Sequence, residues 1–216
     1  MRRRLSIAAN LLAAALALSA WFSMTFSFGP HGALSAPRLV ALKYFTVLSN
    51  LFQAGTSIAW VAMLVRQSRG RISGPSRRLC RLKYAAAVAV GLTFFTVLLF
   101  LGPLYGYESM FVGANLWFHL VVPLLAMIDF TLLDRAATVP LGDFRFAMLP
   151  MLAYAVYYIG NLLVNGVGKG PTSNDWYGFA RGGLRGAVLA FVIILAGNAI
   201  LALLLRLPRR PKREQR

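Results

Sequence analysis

Two short segments carry the residue types that chemistry inside an apolar chain would require. Lys43-Tyr44-Phe45-Thr46-Val47 offers a hydroxyl, and His119-Leu120-Val121-Val122-Pro123 offers an imidazole four residues before a proline. A threonine hydroxyl is almost wholly protonated at neutral pH and needs a base beside it to act as a nucleophile. A neutral imidazole takes such a proton readily. Proline has no N–H, so the carbonyl of His119 loses its helical partner and a kink is expected there. Lys43, Thr46, Asn50, Gln53 and Ser57 recur at steps of three and four, which is one stripe on one helix face. Asn115 lies four residues before His119, on the same face. Taken alone, His119 reads more simply as a buried histidine bonding a neighbouring helix. Ser49, Gln53 and Ser57 read equally as an interhelical hydrogen-bond seam.

The elements that must hold these residues follow from composition. The 216 residues are 58% hydrophobic and 13% charged, half the charged share of an ordinary soluble domain. That excludes a disordered chain. Six apolar runs are long enough to cross a bilayer: about 5–28, 39–65, 84–104, 111–133, 146–164 and 186–207. The connections are short, so residues 1–216 form a single transmembrane domain. The expected fold is an all-α integral membrane protein, a bundle of six transmembrane helices. The first run follows three arginines and resembles a cleavable signal peptide, but it continues through Trp21 and Phe26, which favours an uncleaved helix. Nothing repeats internally, which gives an inverted-repeat transporter no support.

The lone Cys80 excludes a disulfide framework and a cysteine-based zinc site. His31 and His119 fall in different elements, so no metal site is expected, and no cofactor motif is present. Gly166, Gly168 and Gly170 have neither the strand nor the Lys-Ser/Thr of a phosphate loop.

The net charge of +17 comes from clustered basic residues. Eighteen of the 23 fall at the N-terminus, in the second and fourth connections and in the C-terminal tail. These include Arg2 to Arg4, Arg66 to Lys83, Arg135, Arg145, and the tail with Lys212, Arg213 and Arg216. Only Arg38, Lys169, Arg181 and Arg185 fall on the alternate side. This bias predicts both termini in the cytoplasm. It also accounts for the charge without any nucleic acid, and it predicts anionic headgroups as partners of the basic segments. Asp129 and Asp134 fall at the cytoplasmic end of the fourth run, where Arg135 or the basic second connection would pair with them.

With that orientation the second and fourth helices both enter from the outer side. Thr46 is then about seven residues into its helix and His119 about eight, a shared depth of roughly 10–12 Å. Tyr154, Tyr158, Asn161 and Asn165 fall on one face of the fifth helix, towards the outer half. A polar, aromatic-walled cavity opening outward is expected, lined by the second, fourth and fifth helices, with Phe45, Trp117, Tyr154 and Tyr158 in its walls.

The two segments around Thr46 and His119 resemble the signature segments of the androgen-induced gene 1 protein family, which has small bacterial integral membrane relatives. The resemblance covers most of the chain in layout, with a threonine on the second helix and a histidine on the fourth. It implies a threonine hydrolase of lipid esters, like the animal members that cleave fatty acid esters of hydroxy fatty acids. Thr46 would be the nucleophile and His119 its general base, with no cofactor, in a bacterial plasma membrane. The partners would be the lipid bilayer and a lipid ester or acyl-chain ligand. Asn50, Asn115, Tyr158 and Asn161 are substrate or oxyanion candidates. No carboxylate is placed to orient His119, which favours a dyad. The loop Asn174 to Phe179 is similar to the bacterial members but lacks the expected Tyr-Pro pair. The alternative is a small-solute or lipid binding or transport protein, with His119 in a polar cavity.

Overall fold

The computed structural model describes residues 1–30, 32, 34, 36, 38–134, 138–168 and 173–211. His31, Arg135, Lys169, Gly170, Lys212, Arg213 and Arg216, all read above from sequence, lie outside the described residues. Among the described residues six helices are long and apolar enough to cross a membrane. They are α1 (Arg2–Thr25), α2 (Phe45–Ser68), α3 (Arg77–Tyr105), α4 (Ala114–Leu133), α5 (Phe144–Asn165) and α6 (Gly183–Arg206). The 24 residues of α1 extend about 36 Å, more than the hydrocarbon core of about 30 Å. No strand occurs among the described residues. The chain is an integral membrane protein built from helices alone.

Helix α3 is the axis of the bundle, packed against α2, α4, α5 and α6. Its run Tyr84-Ala-Ala-Ala-Val-Ala-Val-Gly-Leu-Thr93 is buried on every side. Small side chains make this possible, because they let helix backbones approach where no hydrophobic effect drives association. At Gly91 a Cβ would lie 3.0 Å from both Leu201 of α6 and Met127 of α4. Ser76 starts α3 by accepting the Leu79 N–H at 3.3 Å. Helix α1 packs on α2 and α4, and α5 on α3 and α6. Large apolar side chains cover the outside instead, among them Leu11, Ile58, Leu99, Val156, Leu189 and Ile200. That inversion suits hydrocarbon as the surrounding solvent.

The buried charges among the described residues gather at one end of the bundle, the end at which α1 starts and α6 stops. Buried Lys83 of α3 meets Asp129 of α4 at 2.6 Å and Asp134 at 3.0 Å. Its ammonium lies 3.9 Å from the Trp60 ring centroid on α2. Asn10 of α1 donates to Asp129 at 2.7 Å. Beyond α6, Arg209 pairs with Asp134 at 3.5 Å and donates to the Phe130 carbonyl at 3.0 Å. Asp143 takes Arg77 at 3.2 Å and Arg81 at 2.8 Å. The aspartates thus draw on the basic second connection and on the segment after α6. Within this cluster two buried cations, Lys83 and Arg209, face two buried carboxylates, Asp129 and Asp134, so the charges of the four balance.

Two helix boundaries differ from expectation in ways that matter for the site. Helix α2 begins at Phe45, and residues Arg38–Lys43 form a 3-10 turn before it. Thr46 is therefore in the first turn of α2, not seven residues into it. In α4 the expected kink takes the form of a π turn over Trp117–Val121, where the Val122 N–H bonds the Trp117 carbonyl. The widened turn accommodates Pro123, whose ring would clash with the His119 carbonyl in a regular helix. The same device recurs in α3, with a π turn at Val97–Leu101 before Pro103.

Candidate functional site

The first turn of α2 and the π turn of α4 are tied together by one side chain. The Asn50 amide donates to the Thr46 carbonyl at 2.8 Å and to the Phe118 carbonyl at 3.1 Å. Both its hydrogens are spent on these carbonyls, so Asn50 positions the two segments rather than offering a donor to a substrate. Ser49 ties the same turn to α3 instead, donating to the Thr46 carbonyl at 3.1 Å and lying 3.2 Å from Thr93 of α3. Gln53 donates to Ser57 at 2.9 Å along the same stripe. The stripe on α2 thus serves partly as an interhelical seam.

His119 is buried, and its Nδ1 lies 2.8 Å from the carbonyl of Met110. A carbonyl only accepts, so Nδ1 carries a proton. In the neutral ring Nε2 then holds the lone pair and is the available base. Met110 comes from the short turn Tyr107–Met110 between α3 and α4. No sequence pattern announces it, because the partner is a backbone carbonyl. The Thr46 hydroxyl makes no hydrogen bond among the described residues, and none joins it to His119. Asn115 is buried one turn above His119 and donates to the Leu34 carbonyl at 3.2 Å, leaving one amide hydrogen over. It also lines a cavity of only about 20 Å³ beside Gly32 and Leu34.

The remaining candidates belong to a different structure, the last loop on the end away from the termini. Tyr158 is fully buried and its hydroxyl donates to Asp175. Asn161 donates to the Asn174 carbonyl at 3.3 Å and accepts from Asn165 at 2.9 Å. Trp176 donates to the Tyr154 hydroxyl at 3.0 Å, and Tyr154 donates to the Lys43 carbonyl at 2.7 Å. The Lys43 ammonium rests between the rings of Tyr44 and Trp176, at 5.3 and 5.4 Å from their centroids.

One residue of this loop reaches the first site. The Tyr177 hydroxyl accepts from the Phe45 N–H at 2.9 Å, satisfying a donor that the start of α2 would otherwise leave unpaired. Burial pushes the Tyr177 phenol up to about 12, so it is neutral at physiological pH. Sequence reading flagged the loop that holds Tyr177 but not this bond.

A cavity of about 360 Å³ is lined by Tyr105, Val167, Ser173, Asp175, Trp176, Tyr177, Gly178, Ala180 and Arg181. It lies between the last loop and the ends of α3 and α5 that are away from the termini. The expected walls Phe45, Trp117, Tyr154 and Tyr158 do not line it. Tyr154 and Tyr158 instead fill an aromatic core with Phe45, Tyr177, Phe179 and Phe191. Among the described residues no three His, Cys, Asp or Glu side chains gather as a metal site. Comparison with protein-family models, with curated proteins and with solved structures gives no match.

Proposed function

We propose that this protein is an intramembrane hydrolase of a lipid ester, with Thr46 as nucleophile and His119 as general base. The observation that carries the reading is the Asn50 clamp, which binds the carbonyls of Thr46 and Phe118 and so holds the two segments side by side. The anchoring of Nδ1 on Met110 supports it, because it leaves Nε2 as the basic nitrogen. In this mechanism Nε2 takes the Thr46 proton as the hydroxyl oxygen attacks the ester carbonyl carbon. The proton then passes to the departing alkoxide, leaving an acyl-threonine. Water, deprotonated by Nε2, releases the acid and restores the hydroxyl. Asn115, with one amide hydrogen uncommitted, is the nearest candidate to receive developing charge on the carbonyl oxygen. The resemblance to the androgen-induced gene 1 protein family, a bacterial plasma membrane location and cytoplasmic termini belong to the same proposal.

The test uses purified protein in nanodiscs with a chromogenic long-chain ester and a fluorophosphonate probe. Wild type should turn over the ester and be labelled, and Thr46→Ala should do neither while remaining monodisperse. Equal hydrolysis by wild type and Thr46→Ala would remove the nucleophile assignment.

A second reading, a pathway for a proton or small solute, is favoured by one observation. Lys83 and Asp129 are buried and paired within two membrane-crossing helices, where ionisable side chains are costly and commonly functional. Proteoliposomes with an internal pH dye separate the readings. A proton flux lost in Asp129→Asn and in His119→Ala would replace the hydrolase.

A further inference from the structure

We infer that the cavity beneath the last loop binds the anionic head group of a membrane amphiphile, held by Arg181. The inference does not depend on the hydrolase reading. The cavity's volume, about 360 Å³, is within the range of small-ligand sites. Two charged side chains line it, and they differ in availability. Both oxygens of Asp175 are committed, one to the Tyr158 hydroxyl and one to the Ala180 N–H at 2.8 Å. The Arg181 guanidinium has no side-chain or carbonyl partner among the described residues. Asp175 keeps its negative charge but is turned onto Tyr158 and its own loop, so the uncommitted charged donors the cavity offers a ligand are those of Arg181, in a fork suited to phosphate or carboxylate oxygens.

The position of Arg181 is built into the backbone. Gly178 adopts φ 73°, and a Cβ there would lie 3.1 Å from Arg181 Nε. The side chain is laid over a stretch of chain that carries no side chain of its own. Asp175 holds the same turn, through the Ala180 N–H one residue before Arg181.

The surroundings identify the ligand as an amphiphile. Tyr105, Trp176 and Tyr177 form the walls, and aromatic side chains of this kind favour the membrane–water interface. Leu104 beside Tyr105 is 71% exposed and Val164, one turn before Val167, is 82% exposed. These side chains belong to helices apolar enough to cross a membrane and form exposed apolar surface beside the cavity. A head group seated at Arg181 would leave its chain along this apolar surface.

Native mass spectrometry in a neutral detergent tests this with dioleoylphosphatidylglycerol, dioleoylphosphatidylcholine and inorganic phosphate as probes. Wild type should retain phosphatidylglycerol at least tenfold more tightly than phosphatidylcholine. Arg181→Gln should abolish that preference, whereas Arg185→Gln, outside the cavity lining, should keep it. Gly178→Ala should weaken it by displacing the guanidinium, and Arg181→Lys should retain part of it. Equal loss in Arg181→Gln and Arg185→Gln would reduce the effect to general surface charge and overturn the site. Equal retention of the two lipids, or displacement of phosphatidylglycerol by millimolar phosphate, would overturn the assignment to an anionic amphiphile.

Discussion

At the residue scale, the chemistry rests on which atoms are spent and which are left. His119 spends Nδ1 on Met110, and Asn50 spends both amide hydrogens on two carbonyls. Thr46→Ala and His119→Ala should each abolish ester turnover and covalent labelling, and the double variant should be little worse than either, because nucleophile and base act as a unit. Thr46→Ser should keep activity, since the hydroxyl remains. Asn115→Ala should cost about ten- to a thousandfold in kcat if its free hydrogen meets the oxyanion, with a smaller loss of stability than at Asn50, because it removes one buried donor, that to the Leu34 carbonyl. Asn50→Leu should behave differently. It removes two buried donors and leaves both carbonyls short, so it should lower stability by about 1–3 kcal/mol as well as activity. A thermal-shift measurement beside the esterase assay distinguishes the two asparagines.

At the element scale, two connections act as fasteners. On the end away from the termini, the last loop is held by Tyr154, Tyr158 and Asn161 and in turn satisfies the start of α2 through Tyr177. Tyr177→Phe leaves the Phe45 N–H without its acceptor and should destabilise by about 1–3 kcal/mol. The phenol's value is raised from its ordinary 10.0 to about 12. Its contribution is therefore intact below pH 10 and is lost as pH rises through 12, because the unfolded chain ionises first. Tyr177→Phe should flatten that alkaline part of the stability profile, read by thermal unfolding between pH 9 and 12. On the terminal end, Lys83 bridges Asp129 and Asp134, and Arg209 supplies the second cation. Lys83→Met should destabilise by about 3–5 kcal/mol, as loss of one partner from a buried pair does. Combining Lys83→Met with Asp129→Asn should recover part of the loss, which denaturant titration in detergent would show.

At the scale of the whole molecule, six crossings return the chain to the side from which it starts. We propose from the distribution of arginines that this side is cytoplasmic. In a Cys80→Ser background, Ser73→Cys should react with a membrane-impermeant maleimide only after the membrane is opened. Ser109→Cys, in the turn after α3, should react from outside in intact cells. The reverse pattern would invert the proposed orientation.

What the sequence determined by itself was set by solvent. Hydrocarbon demands long apolar runs with satisfied backbones, so six helices, their approximate limits and the stripe on α2 are legible from composition and period. The pull of Asp129 and Asp134 on the basic second connection is legible for a similar reason, since buried charge must be paired. The tertiary structure alone decided the rest. The start of α2 at Phe45 depends on Tyr177, distant in sequence, which supplies the acceptor for its first N–H. The tautomer of His119 depends on the Met110 carbonyl, and every residue type carries a carbonyl, so sequence holds no sign of it. The roles of Tyr158 and Asn161 turned on a loop that folds back to take their polar atoms, and a cavity formed beneath that loop. Periodicity records which face of a helix is polar, but what that face meets is settled only when distant segments compete for the same hydrogen bonds.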